Sequence, residues 1–347
     1  MENNLNCNNN VQENILFKSN PKDIIIFRDL TKDSYSFFIE NTFTVFKSIN
    51  DILYLIYTNE NKSLISFNII ENNLINEIKN AHNEYITNIR YYYNKTNKRD
   101  LILSISCNDN NIKIWNINNL ECLLNLTNIY KTGYLYSACF LNDNNNIYII
   151  TSNCNKYGQK CESIKVYDLY GKKIKEINES NSYTHFIDTY YDNQLSTVFI
   201  MTGNKGFIKA HDYNKNKIYH KYYDNYNKNH YSITINNSNE IVKIIDSCMD
   251  GFIRIWNFHT GKLINKIQIS NNELHGICLW NNEFILVGSE SNSIKIIDLN
   301  NYRVIKELKS NNSSILTIKK ILHPQYGECL ISQGKYNGQI QLWINKI

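Results

Sequence analysis

The side chains able to do chemistry are thinly spread along this chain. Two histidine–aspartate pairs, His82 with Asp109 and His230 with Asp250, have the residue types of a general base and its orienting carboxylate. Cys154 and Cys161 flank the short loop Asn155–Lys160 and could offer two thiolates to a metal. Zinc would need two further ligands, and none follows at finger spacing. Gly288-Ser289-Glu290-Ser291 comes nearest to a nucleophile elbow but lacks its last glycine. Gly261-Lys262 has no phosphate-loop frame around it, and the HExxH and EF-hand patterns are absent. The stretch Tyr219–Tyr231 interleaves aromatics with His and Lys, as a nucleic-acid or peptide platform does. The same residues suit a half-exposed outer strand, Lys217–Tyr223, and the turn after it. The residues thus point to no catalytic group, no cofactor and no metal.

Composition narrows the class further. The chain has 347 residues, 42% hydrophobic and 20% charged, which is ample for a core. Length alone would predict two domains at about 150 residues each. A net charge of +5 is slight for this length, and the lysines are dispersed rather than gathered in one stripe. That disfavours a nucleic-acid partner. No apolar run approaches the roughly 18 residues of a spanning helix, so membrane insertion is not expected. Met1–Asn10 is polar, without the charged and apolar regions of a signal peptide. The nine cysteines are odd in number and form no CxxC pair, which reads as free thiols in a reducing, cytoplasmic setting.

The elements that must position any site come from a repeat. One phrase recurs: Ile112-Lys113-Ile114-Trp115, Ile253-Arg254-Ile255-Trp256 and Ile340-Gln341-Leu342-Trp343, with weaker copies ending at Phe67, Tyr167, His211 and Ile297. The gaps between fourth positions are 48, 52, 44, 45, 41 and 46 residues. Period-2 alternation with β-branched and aromatic residues makes each phrase a strand. Two strand-like runs precede each phrase, and one follows. The Asn-rich turns between them suit a residue that tolerates positive φ. Four strands at this period are the arithmetic of a propeller blade.

From about residue 43 onward the sequence resembles the WD40 repeat proteins. The resemblance implies an all-β, seven-bladed propeller. The WD dipeptide is never intact: blades keep Trp115, Trp256 and Trp343, or Asp168, Asp212 and Asp298. The family's turn aspartate survives as Asp109 and Asp250, and its histidine as His82 and His230. The resemblance then implies buried hydrogen-bonded chains through His82, Ser106, Asp109 and Trp115, and through His230, Ser247, Asp250 and Trp256. A slip of one residue leaves the choice of serine open. This turns the two histidine–aspartate pairs into structural groups rather than acid–base pairs. Within the group, the last quarter, from Leu274 to Trp343, is most similar to Asn/Ile-rich members with no assigned biochemistry.

The chain ends on the third strand of the seventh blade. An N-terminal strand at about 23–29 is expected to supply the missing fourth and remove exposed edges. Residues 1–14 then read as a disordered Asn-rich tail, and 15–347 as the propeller. The innermost strands carry Ile86, Ile89, Leu135, Ala138, Ile235, Ile277, Ile315 and Ile318, too apolar for an active site. The expected function is a non-enzymatic scaffold binding protein or peptide partners through its top face and rim, monomeric or within a larger complex. The alternatives are a lipid- or RNA-binding adaptor and a propeller enzyme. Phosphoinositide-binding propellers that resemble this family use adjacent arginines, and none of the five arginines here has an arginine neighbour. Aligning innermost strands on Ile89, Ala138, Ile187 and Ile235 places Tyr85, Tyr134, Tyr183 and Tyr231 at equivalent positions four residues earlier. They read equally as a docking surface or as packing. Tyr157, in the enlarged loop Asn153–Glu162, is a further candidate for partner contact.

Overall fold

A computed structural model of the chain describes residues 20–31, 34, 41–131, 133–143, 146–154, 163–178, 184–237, 241–310, 314–335 and 338–345. The fold is all-β, a seven-bladed β-propeller of four-stranded sheets. A 3-10 turn at Pro21–Asp23 leads into β1 (Ile24–Asp29). No helix among the described residues is long and apolar enough to cross a membrane. The expected tail, residues 1–14, lies outside the described residues.

The chain divides into two compact units. The first, residues 41–68 and 73–221, holds four blades. They are β2–β5 (Phe43–Lys47, Leu53–Thr58, Leu64–Asn68, Asn73–Ile78), β6–β9 (Ile86–Asn94, Arg99–Ser106, Asn111–Asn116, Glu121–Leu126), β10–β13 (Tyr134–Asp143, Asn146–Cys154, Ser163–Asp168, Lys173–Asn178) and β14–β17 (Thr184–Asp192, Thr197–Asn204, Phe207–Asp212, Lys217–Tyr222). The recurring phrase is each blade's third strand. In β8, Ile112, Ile114 and Trp115 are buried, whereas the fourth strand β5 leaves Leu74 and Ile75 exposed. Cores form between successive blades: Leu103, Ile105 and Ile112 pack with Leu135, Ala138 and Ile149.

The second unit takes up residues 69–72 and 222–347 with the segment before residue 41. Its blades are β18–β21 (His230–Asn236, Lys243–Cys248, Phe252–Asn257, Leu263–Gln268), β22–β25 (Leu274–Leu279, Phe284–Ser289, Ser293–Asp298, Arg303–Lys309), and β26–β28 (Ile315–His323, Gly327–Gly334, Ile340–Asn345) completed by β1. The turns behave as their asparagines require. Eight of the fourteen described non-glycine residues with positive φ are Asn, which enters the left-handed region at little strain. Gly251 stands at φ +79, where an added Cβ would lie 2.0 Å from the Ser270 carbonyl oxygen.

The last blade is closed as expected. β1 runs antiparallel to β28, with Ile24 opposite Asn345 and Ile26 opposite Trp343. Leu30 N–H then donates to the Ile340 carbonyl at 2.7 Å, and Gln341 Nε2 to Asp29 Oδ1 at 2.9 Å. The strand begins one residue later than expected, because the Asn20 side chain accepts from Lys22 N–H and holds Asp23 in the 3-10 turn. Strand pleating buries Ile24 and leaves Ile25 43% exposed, so only part of the isoleucine run is covered. Burying Ile24 alone is worth about 1.5–3 kcal/mol. Removing residues 1–30 should therefore lower the melting temperature by about 3 °C or more, at roughly 2 °C per kcal/mol, the low end of the range for large domains. Removing residues 1–14 should leave it unchanged. Scanning calorimetry of the two truncations checks this, and equal melting curves would refute it.

Candidate functional site

In blade two, Trp115 Nε1 donates to Ser104 Oγ at 2.8 Å, and His82 Nε2 meets the same oxygen at 2.7 Å. The serine of the chain is thus Ser104, two residues before Ser106. Ser104 faces Lys113 across the β7–β8 ladder, which puts the indole of Trp115 two residues further on. Ser106 is buried, and its hydroxyl makes no hydrogen bond among the described residues. The chain stops at His82, for neither Nδ1 of His82 nor the Asp109 carboxylate finds a partner there. Burial, and then the nearby Lys113 ammonium, push the His82 imidazole down to about 3. It is a neutral structural group, not a general base at neutral pH.

Blade five reaches the same end by other residues. Trp256 Nε1 donates to Asp246 Oδ2 at 2.6 Å, and His230 Nδ1 lies 3.3 Å from Asp246 Oδ1. Asp246 thus fills the place of Ser104, and Ser247 does not. Ser247 Oγ donates instead to the backbone carbonyl of His275 in blade six. Asp250 is drawn away by Arg254, which grips its carboxylate through both terminal nitrogens. Arg254 also donates from Nε to Asp224 at 2.8 Å, and Lys266 Nζ reaches the same oxygen at 2.8 Å. Burial opposes the charge on Arg254, but these carboxylates outweigh it and raise its pKa. The expected chains therefore keep both tryptophans and His82, while His230 only lies near Asp246 without a hydrogen bond between the two close atoms, and neither serine nor aspartate takes its expected place.

Three more blades fill this second-strand position with a polar group. Thr151 Oγ1 meets the Tyr130 hydroxyl at 2.8 Å, Thr202 Oγ1 accepts from Asn204 Nδ2 at 3.3 Å, and Ser332 Oγ accepts from Trp343 Nε1 at 2.8 Å. The Tyr219–Tyr231 stretch proves to be outer strand and turn: β17 is followed by the segment holding Asp224. Tyr222 is fully buried, with its hydroxyl on the Phe258 carbonyl at 2.8 Å.

Other side chains stand where the innermost strands of each unit begin. Each innermost strand from β6 to β26 opens on a register shift, as between Leu135 and Ser137, Thr184 and Phe186, or His230 and Ser232. A β-bulge re-aims the extra residue. In the first unit these residues include Tyr136 and His185, whose rings meet edge-on at 5.7 Å. In the second they include Tyr231 and His275, with ring centroids 4.8 Å apart. All but His275 are half-exposed.

The ladders also correct the tyrosine alignment. Ile89 faces Ser104 and Ala138 faces Thr151, but the residue facing Asp246 is Ile233, not Ile235. Tyr85 and Tyr134 keep equivalent places, and Tyr231 moves to the bulge, while Asn229 takes the fourth place. Tyr85 is 36% exposed and Tyr134 half-exposed. Tyr183 and Tyr157 lie outside the described residues, as does Cys161. Matching isoleucines could not find the bulge residues, because they are defined by ladder register.

Within the second unit, polar groups surround Tyr231 and His275. Tyr231 Oη donates to Glu273 Oε2 at 2.8 Å, and His275 Nε2 lies 4.0 Å from that oxygen and 3.7 Å from Glu290 Oε1. Lys335 Nζ stands 3.3 Å from Glu290 Oε1. The His275 imidazole, helped by Lys335, holds the Glu290 carboxyl down at about 2. No motif search joins residues 273, 275 and 290, because they come from two turns of one blade.

A stretch of 112 residues, 32% of the chain, is 20% identical to the U3 small nucleolar RNA-associated protein 21 homolog of Schizosaccharomyces pombe. The match spans only 12% of that protein's length. No family model matches the chain. The seven four-stranded blades show the propeller fold, and this similarity covers only a part of it.

Two predictions follow the geometry of blade two. Ser104→Ala strands the Trp115 indole and should cost about 1–3 kcal/mol, while Ser106→Ala should stay within about 0.5 kcal/mol. Urea denaturation separates them, and equal losses would refute the assignment of Ser104. The second concerns pH. With a folded pKa of about 3 for His82 against an ordinary 6.5, only the unfolded chain takes up this proton between those values. His82 thus contributes stability above pH 6.5 that is lost as the pH falls, at up to about 1.4 kcal/mol per unit. Stability measured from pH 7 to 5 should fall less steeply in His82→Gln than in the parent chain. Parallel slopes would show that His82 is not the group responsible.

Proposed function

We propose that this chain is a non-enzymatic scaffold that docks protein or peptide partners at the end where its innermost strands begin. The observation that carries this reading is the half-exposed pair made by the bulges of the first unit, Tyr136 and His185, together with Tyr85 and Tyr134 in the same unit. Amphipathic rings held by a rigid strand supply contact area at small entropic cost, as binding hot spots do. The blades hold these rings, and specificity lies in them and in the flanking turns. The likeness of the last quarter to Asn/Ile-rich propellers and a cytoplasmic location belong to the same proposal. Fluorescence imaging of the tagged chain tests the location.

A second reading comes from the name of the fission-yeast protein, which associates that protein with a small nucleolar RNA. On this reading the scaffold works within an RNA-containing assembly, with protein contacts to its neighbours. Affinity purification with and without ribonuclease distinguishes the two. Once a partner is isolated, Tyr134→Ala combined with Tyr136→Ala should weaken it by about 30-fold or more, the measure of a hot-spot loss of about 2 kcal/mol. The melting temperature should hold. Unchanged affinity in the double variant would move the docking surface elsewhere.

A further inference from the structure

Glu273, His275 and Glu290 bring one imidazole and two carboxylates to one place, and their nearest ligand atoms all lie within 4.8 Å of one another. Ligands about 2.1 Å from a tetrahedral ion stand about 3.4 Å apart. The separations from His275 Nε2, 3.7 Å and 4.0 Å, exceed that by only a few tenths of an ångström. We propose that these three side chains form a binding site for a divalent transition-metal ion of the zinc class, with a coordination position left for water or a partner's side chain.

The donors suit such an ion. Imidazole nitrogen with carboxylate oxygen selects first-row divalent metals over magnesium, and three protein ligands leave a site open. The backbone holds them in advance. Glu290 N–H donates to the Glu273 carbonyl at 3.1 Å, which ties the two ligand-bearing turns, and Ser247 fixes the His275 carbonyl from the next blade. His275 is 5% exposed, with its ring held against Tyr231. Tyr231 donates to Glu273, the kind of outer hydrogen bond that orients a ligating carboxylate.

Lys335 is the competitor. Its ammonium, 3.3 Å from Glu290 Oε1, occupies part of the field that a metal would use. The proposal therefore expects Lys335→Met to bind metal more tightly than the parent chain. It is independent of the docking reading, since an ion can sit here whether or not a partner binds.

The test is calorimetric titration of Zn²⁺ into the chelator-stripped full chain, with Co²⁺ absorption as a second readout. We expect one saturable site, weakened at least about tenfold by Glu290→Gln and by His275→Gln, and tightened by Lys335→Met. Co²⁺ should give ligand-field bands without thiolate charge transfer. Glu290→Gln changes a turn residue and keeps the test open if His275→Gln fails to fold. The proposal is overturned by absence of saturable binding below about 1 mM, where affinity would be only about 4 kcal/mol. Binding indifferent to Glu290→Gln, or a thiolate-to-cobalt band placing the ion on cysteines, overturns it equally.

Discussion

A polar side chain at the middle of a blade's second strand has no water to turn to, and the rest of the blade is arranged around satisfying it. An unpaired buried hydroxyl or carboxylate costs about 1–3 kcal/mol or more, a sizeable share of a domain's net stability. Where the phrase ends in tryptophan, the indole N–H comes from the third strand, to Ser104, Asp246 or Ser332. Where it ends in Phe67 or Ile297, which have nothing to donate, the position equivalent to Ser104 is apolar: Ile56 in blade one and Val287 in blade six. Blade three keeps a threonine and brings the Tyr130 hydroxyl from the turn before the innermost strand. The donor and acceptor change together from blade to blade, which is what a shared physical requirement produces.

That requirement explains what the sequence made legible. The phrase strands announce themselves by period-2 alternation of β-branched and aromatic residues, and the closing strand by an isoleucine run next to a blade short of one strand. The hydrogen-bond partners were harder to read, because they depend on ladder register, and a one-residue bulge shifts register without leaving a composition signal. Ser106 and Ser247 look as plausible in the sequence as Ser104, and only the pairing of Ser104 with Lys113 decides. In blade five Ile233 rather than Ile235 faces the second-strand carboxylate, so matching isoleucines misplaced Tyr231 by two residues. The cluster of Glu273, His275 and Glu290 was illegible for a simpler reason: its members meet only when two separate turns fold together.

The bulges link this internal requirement to the surface. A residue inserted at the start of an innermost strand leaves the ladder above it intact and turns one side chain out of the sheet. The strand beyond can then stay apolar, as Leu135, Ala138 and Ile187 do, while Tyr136 and His185 lie half-exposed. Changes at such positions need not disturb the indole and hydroxyl pairs several residues away, since distant sites contribute independently. A fold whose core is fixed by buried polar pairs can in this way carry different contact chemistry on each blade.

Blade five shows how far the core can depart from the common arrangement and still hold. Replacing a serine by the carboxylate of Asp246 buries a full charge, whose desolvation is worth several kcal/mol unless it is compensated. The compensation is local: the Trp256 N–H, His230 at 3.3 Å, and the field of the fully buried Arg254 beside it. Arg254 in turn could not be buried alone, and it is held between Asp224 and Asp250, with Lys266 closing on Asp224. One substitution in the second strand thus requires charges on the third strand, the fourth strand and the turn before the blade. That turn is the end of the aromatic Tyr219–Tyr231 stretch. Tyr226 serves this arrangement: it lies under both Arg254 and Lys266, at 5.7 and 5.3 Å from its ring centre, covering the cations that stabilise the buried carboxylates.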